Sequence, residues 1–143
     1  MPLAWGSMTL AGFILMLHAF NVYLVILAGL ITCIWGFILY FARKQMTVIF
    51  KPWRIMLIVT VILGCLQGLF GIIMVLLGLK PGTGQGLYYL HYVYGAIVLL
   101  AIPLSYLSYT TGGKNPRRDV LIYSIAALIV VAAGARAWMT GPR

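Results

Sequence analysis

Long apolar stretches alternate with short polar ones along the whole chain. A membrane-spanning helix needs about 20 mostly apolar residues, and four stretches are long enough: Leu10–Phe41, Arg54–Leu79, Leu87–Tyr109 and Val120–Met139. The segments between them are rich in Gly, Pro and charged residues, which interrupt a helical pattern. The pattern therefore predicts an all-α integral membrane protein with a single four-helix transmembrane domain covering residues 1–143.

Composition supports this class and excludes others. Hydrophobic residues make up 64% of the 143 and charged residues only 8%, whereas about a quarter of a soluble chain is charged. The net charge of +9 could indicate nucleic acid, but no soluble basic domain is left to bind it, so we expect no nucleic-acid partner. The partner that the composition predicts is the lipid bilayer.

The positive charges are unevenly distributed over the connections. The first and third connections hold seven of the ten Lys and Arg: Arg43, Lys44, Lys51, Arg54, Lys114, Arg117 and Arg118. By the positive-inside rule both basic loops are cytoplasmic and both termini lie outside, in a multi-pass protein of the inner membrane. Short connections favour an up-down-up-down bundle, in which helices one and three run parallel. Asp119, the single acid, is predicted to cap the fourth helix.

The only two histidines, His18 and His91, are predicted to lie at one depth. His18 precedes Arg43 by 25 residues and His91 precedes Lys114 by 23, so along parallel helices their heights differ by about 3 Å. Two imidazoles at one level near the outer, periplasmic face could be the axial ligands of a haem iron. Iron–sulfur, zinc and hard-cation sites would need more Cys, His or carboxylates than the chain offers.

Three further residues, Gly95, Arg136 and Asn21, are candidates for this site. Gly95 lies one turn after His91 and leaves room for a flat macrocycle or for a neighbouring helix. Arg136, near the outer end of helix four, could pair with a propionate or extend its charge to the headgroups. Asn21 could orient His18 or bond across helices. Gln67 is predicted to bond between helices, with a quinone contact as the alternative.

Aromatic residues are predicted to form belts at the membrane interfaces. The tyrosines near His91 belong to this group, although one of them could contact a quinol or the haem edge. The four tryptophans are assigned to the same belts: Trp5, Trp35, Trp53 and Trp138.

The segments LMLHAFNVYLVILAGL and YYLHYVYGAIVLL give the chain a layout that resembles small bacterial four-helix membrane cytochromes b and CopD-like proteins. The resemblance covers essentially the whole chain. It implies one haem b held between helices by His18 and His91, with electrons passing between quinol and a partner protein. Larger members carry four or more histidines and two haems, whereas this chain has no histidine on the cytoplasmic side. The haem would then serve one side or pass electrons to another subunit.

Two functional hypotheses follow. The first is a haem b-binding electron-transfer subunit that works with quinol or other membrane subunits, rather than a stand-alone enzyme. The second is a cofactor-free accessory subunit of a larger respiratory or photosynthetic complex. A chlorophyll whose magnesium is bound by His91 would produce the same sequence pattern as a haem.

Overall fold

The computed structural model describes residues 9–84 and 87–141. Four α-helices make up most of this part of the chain: α1 (Leu10–Ala42), α2 (Lys51–Leu76), α3 (Tyr89–Tyr109) and α4 (Pro116–Thr140). A short 3₁₀ turn, Pro81–Gly84, lies between α2 and α3. Each of the four helices is long and apolar enough to cross a bilayer, as in a multi-pass membrane protein. The all-α four-helix fold is confirmed.

Some helix ends differ from those that hydropathy predicts, because proline or glycine determines where the helix begins or ends. Both α2 and α4 begin earlier than the apolar runs, because each has a proline in its first two positions, where the missing N–H loses no helical bond. Helix α2 ends at Leu76 rather than Leu79, because Gly78 adopts a left-handed φ of 76°. Two hydrogen bonds, Gly78 N to Val75 O and Leu79 N to Met74 O, complete a Schellman motif at this end.

The helices pack as a ring in which each one contacts the next along the chain. Helix α4 packs extensively on both α1 and α3, and α2 packs extensively on α1 but less on α3. Helices α1 and α3 therefore lie diagonally across the bundle and run parallel, as the up-down-up-down prediction requires. Glycines allow the close approaches: a Cβ at Gly29 would lie 2.8 Å from Val131 Cγ2, and one at Gly64 would lie 3.1 Å from Val98 O.

Hydrogen bonds stabilise the basic end of the bundle. This end comprises residues 43–50 and 110–115 with the adjoining helix ends. The prediction that Asp119 caps α4 is wrong, because Asn115 is the N-cap and its side chain accepts from Arg118 N. Asp119 is instead buried. Its carboxylate accepts from the Thr111 and Gly113 backbone N–H groups at 2.7 and 2.8 Å. The acid thus stabilises the loop before α4 by satisfying two backbone donors.

The aromatic belt prediction fails for Trp53, because this side chain has no exposed surface. Its indole Nε1–H donates to Thr32 O at 2.9 Å, and its ring packs in the core between α1, α2 and α4. Trp138 is exposed, as a belt residue would be, and Trp5 lies outside the described residues. An apolar ring with one donor suits a core as well as an interface.

Candidate functional site

The two histidine rings are half-buried and lie close together, near the end of the bundle opposite the basic loops. His18 lies in the second to third turn of α1 and His91 in the first turn of α3. Their ring centroids are 6.0 Å apart and their planes are inclined by 52°. The structure therefore brings together the two residues that the sequence places at one depth.

His91 is oriented by the C-terminus of α4. Its Nδ1–H donates to the carbonyl oxygen of Ala137 at 2.9 Å. Ala137 lies in the last turn of α4, where carbonyls lack a helical donor. Since a carbonyl can only accept, the hydrogen of the neutral ring lies on Nδ1, and the lone pair lies on Nε2. Metal-binding histidines commonly show this arrangement.

A network of side-chain amide hydrogen bonds connects His18 to α2. Asn21 Nδ2 donates both to Leu63 O at 2.9 Å and to Gln67 Oε1 at 2.8 Å. Gln67 Nε2 lies 3.2 Å from His18 Nε2 and 3.3 Å from Nδ1. Both alternatives for Asn21 therefore apply in part: it bonds across helices, and it reaches His18 only through Gln67.

A cavity surrounds the histidine pair. Its volume is about 250 Å³, and its lining includes both histidines, Gln67 and Gly95. Two adjoining cavities of about 350 and 190 Å³ also contact His91 and lie between α2 and α3. Mainly apolar cavities with a few polar groups are typical of cofactor sites.

Glycines keep this part of the bundle open. A Cβ at Gly95 would meet no atom within 4 Å, whereas one at Gly68, nearer the bundle centre, would lie 3.0 Å from the Leu99 side chain. A Cβ at Gly71 would lie 3.7 Å from His18 Cε1. Helices α2 and α3 are therefore in close contact at Gly68 and separated beside Gly95.

Arg136 does not line the cavity that contains both histidines. It is exposed, and its guanidinium carbon lies 5.9 Å from the centre of the Tyr94 ring on α3. Lys80, which follows α2, lines the smallest of the adjoining cavities together with His91. Among the residues that the structure describes, Lys80 and Arg136 are thus the cations at this end of the bundle, and Lys80 shares a cavity with a histidine.

Sequence reasoning missed three contributors to the site: the Ala137 carbonyl, Lys80, and the role of Gln67 beside His18. The position of Lys80 just after an apolar run was visible in the sequence. The other two depend on how α2 and α4 are rotated about their axes. Apolar residues surround these positions on all sides, so periodicity could not determine that rotation.

Other metal chemistries find little support in the described residues. Within residues 9–84 and 87–141, no three or more His, Cys, Asp or Glu side chains form a group that could hold a metal ion. Axial ligation of a haem needs only two side chains, because the macrocycle supplies the remaining ligands.

No protein-family model matches the chain, and neither the curated proteins nor the solved structures contain a significant match. The kinship with small four-helix cytochromes b and CopD-like proteins therefore stays a prediction that rests on layout.

Proposed function

We propose that the chain is a haem b-binding membrane electron-transfer subunit, with His18 and His91 as the axial ligands. The observation that carries the proposal is the pair of imidazole rings that line one mainly apolar cavity, with centroids 6.0 Å apart. If each ring turned one nitrogen toward a single metal ion at a bond length of about 2 Å, the two ring centres would lie about 6 Å apart. The spacing of the rings suits one iron between them.

The surroundings of the histidines fit the other parts of a haem, which are its macrocycle and its propionates. The opening beside Gly95 and the cavities between α2 and α3 offer space for a flat macrocycle with one edge toward lipid. Lys80 supplies a positive charge at the edge of this space for a propionate, and Arg136 supplies a second one at the outer end of α4. When bound, a haem provides reversible one-electron transfer.

The chain's own residues would bind the haem, orient it and keep water away from it. His91 presents its Nε2 lone pair because Ala137 O holds its Nδ1–H, and a hydrogen bond of this kind makes an imidazole a stronger donor to iron. The apolar walls exclude water and lower the local dielectric, which tunes a reduction potential. In the predicted orientation the site lies near the periplasmic face of the inner membrane, where a quinol or another membrane subunit would exchange electrons.

A reduced-minus-oxidised absorption spectrum of the purified protein tests the proposal. We expect b-type bands after expression with haem supply, and loss of these bands in His18→Ala or His91→Ala. Leu15→Ala is the matched control, because Leu15 lines the same cavity without a group that could bind iron. A folded wild-type protein that stays colourless after haem titration would refute the proposal, and chlorin bands in the red would indicate a chlorophyll instead.

A cofactor-free accessory subunit is the second candidate. Helices α2 and α3 bury a much smaller share of their residues than α1 and α4, so these two helices offer the larger free surface to other subunits. Purification within a larger membrane complex without any bound haem would favour this function over the first.

A further inference from the structure

A groove lies between α2 and α3 on the basic side of their close contact at Gly64. There an added Cβ would lie 3.1 Å from the carbonyl oxygen of Val98. Beyond this contact the two helices leave a cavity of about 230 Å³. Its walls are aliphatic side chains and two tyrosines, among them Ile58, Ile62, Ile102, Tyr106 and Tyr123. None of the described residues lines both this α2–α3 groove and the cavity that contains the two histidines.

The α2–α3 groove is open on the side that the bilayer would cover. The Ile58, Ile62 and Tyr106 side chains are exposed, whereas Ile102 is buried. Ile62 follows Arg54 by eight residues, so the groove extends about 12 Å along α2 from the level of Arg54. One leaflet contributes about 15 Å of hydrocarbon. The groove therefore has the length and the apolar walls that suit one acyl chain.

Polar groups lie at the basic end of the α2–α3 groove. Arg54 precedes Leu57 and Ile58 by three and four residues, so it shares their face of α2. Its guanidinium and the Tyr106 hydroxyl both interact electrostatically with the Tyr123 hydroxyl. Arg54 is exposed, and within the described residues its guanidinium forms no hydrogen bond or ion pair. One cation and two hydroxyl groups thus lie where the apolar groove ends.

The charges around Arg54 leave it able to bind an external anion. Arg117, by contrast, is engaged with α1, because its guanidinium carbon lies 4.2 Å from the centre of the Tyr40 ring and its Nε–H donates to Tyr40 O at 3.2 Å. Asp119 is the acid that could repel an anion here. Its carboxylate is buried and already accepts two backbone N–H groups.

We propose that the α2–α3 groove binds one anionic phospholipid, with the phosphate at Arg54 and one acyl chain between the two helices. An apolar groove that ends at a cation matches an amphiphile with a negative headgroup, and basic pockets between membrane helices bind such lipids. A guanidinium and tyrosine hydroxyls can all donate to phosphate oxygens. The lipid fills the space where α2 and α3 are not in contact with each other. This site does not depend on haem.

Native mass spectrometry of the full chain in a mild detergent tests the headgroup. The protein is mixed with equal amounts of dioleoylphosphatidylglycerol and dioleoylphosphatidylcholine, which have the same acyl chains. We expect one phosphatidylglycerol to bind in preference to phosphatidylcholine. One cation near an anionic headgroup contributes about fivefold in affinity, so Arg54→Gln should bind phosphatidylglycerol about fivefold more weakly and phosphatidylcholine equally well.

Arg118→Gln is the matched control. Arg118 is also an exposed cation at the basic end, but it lies about 140° around α4 from Tyr123. Phosphatidylglycerol affinity in this variant should stay within about twofold of wild type. Equal binding of the two lipids by wild type, wild-type affinity in Arg54→Gln, or an equal loss in both variants would overturn the proposal.

A photoactivatable lipid tests the position of the acyl chain. Phosphatidylglycerol with a diazirine in its acyl chain should crosslink to Ile58, Ile62 or Ile102 in preference to Ile125, an exposed residue of α4. This preference should be lost in Arg54→Gln and with phosphatidylcholine that carries the same label. Crosslinks spread evenly over the lipid-facing residues would overturn the proposal. So would a lipid-free dimer in the mass spectrum with α2 and α3 at its interface, because a second copy would then occupy the groove.

Discussion

Substitutions at Gly95 should change the free energy of unfolding and the affinity for haem independently of each other. A Cβ at this position meets no atom within 4 Å, so Gly95→Ala adds no clash. Gly in the middle of a helix destabilises by about 0.5–1 kcal/mol relative to Ala, and we expect Gly95→Ala to raise the free energy of unfolding by that amount.

Gly64→Ala is the matched control for stability. Its Cβ would lie 3.1 Å from the backbone oxygen of Val98, which cannot move without shifting α3. Overpacking of this kind typically costs about 1–3 kcal/mol, more than the gain in helix propensity. The SDS concentration that unfolds the protein in a mild detergent can be measured by circular dichroism. It should rise for Gly95→Ala and fall for Gly64→Ala. Equal destabilisation of the two variants would refute the open space beside Gly95.

Gly95→Leu tests the cavity itself. Gly95 lines two cavities that also contact His91, and a Cβ there meets no atom within 4 Å. A leucine should therefore occupy part of this space without a clash, and the metal-free protein should stay as stable as Gly95→Ala. Its affinity for haem should fall at least about tenfold, equivalent to about 1.4 kcal/mol, in a titration followed by absorption. Full haem affinity in Gly95→Leu would mean that the macrocycle does not lie beside Gly95.

Three further predictions concern the rest of the molecule. Asp119→Ala leaves two loop N–H donors without a partner. It should lower the free energy of unfolding by about 3 kcal/mol in the same SDS assay. A decrease of less than about 1 kcal/mol would contradict the stabilising role of the buried carboxylate. Trp53→Phe removes the donor to Thr32 O and leaves a gap in the core, so a loss of about 2 kcal/mol is expected, and an unchanged transition would show that the indole is not needed there. In a background without native cysteines, Lys80→Cys should react with an impermeant thiol reagent added outside intact cells; labelling only after lysis would reverse the predicted orientation.

The helices and their number follow from the sequence because hydropathy acts locally. Twenty apolar residues must satisfy their backbone groups internally in a bilayer, and a helix does this without any partner. The ends were predicted less well. Pro52 and Pro116 extend α2 and α4 beyond their apolar cores, while Gly78 ends α2 before its apolar run ends. These ends depend on backbone geometry rather than on hydropathy.

The candidate site was predicted in part. Equal depth could be counted from the charged loops, and it led to His18 and His91 as a pair and to Gly95 as an opening. The partner of the only acid was not foreseen, because the loop around Thr111 folds back on Asp119 through backbone donors that every residue type shares.

By itself the sequence determined four spans, their alternating direction and the shared level of two imidazoles, since each of these depends on distance along the chain. Only the tertiary structure decided which way the imidazoles point, that Gln67 rather than Asn21 contacts His18, and that Arg136 lies against Tyr94 instead of in the cavity that contains both histidines. The physical reason is the rotation of each helix about its axis. With apolar residues on every face, this rotation is set by close packing at glycines such as Gly29 and Gly64 and by a few buried hydrogen bonds.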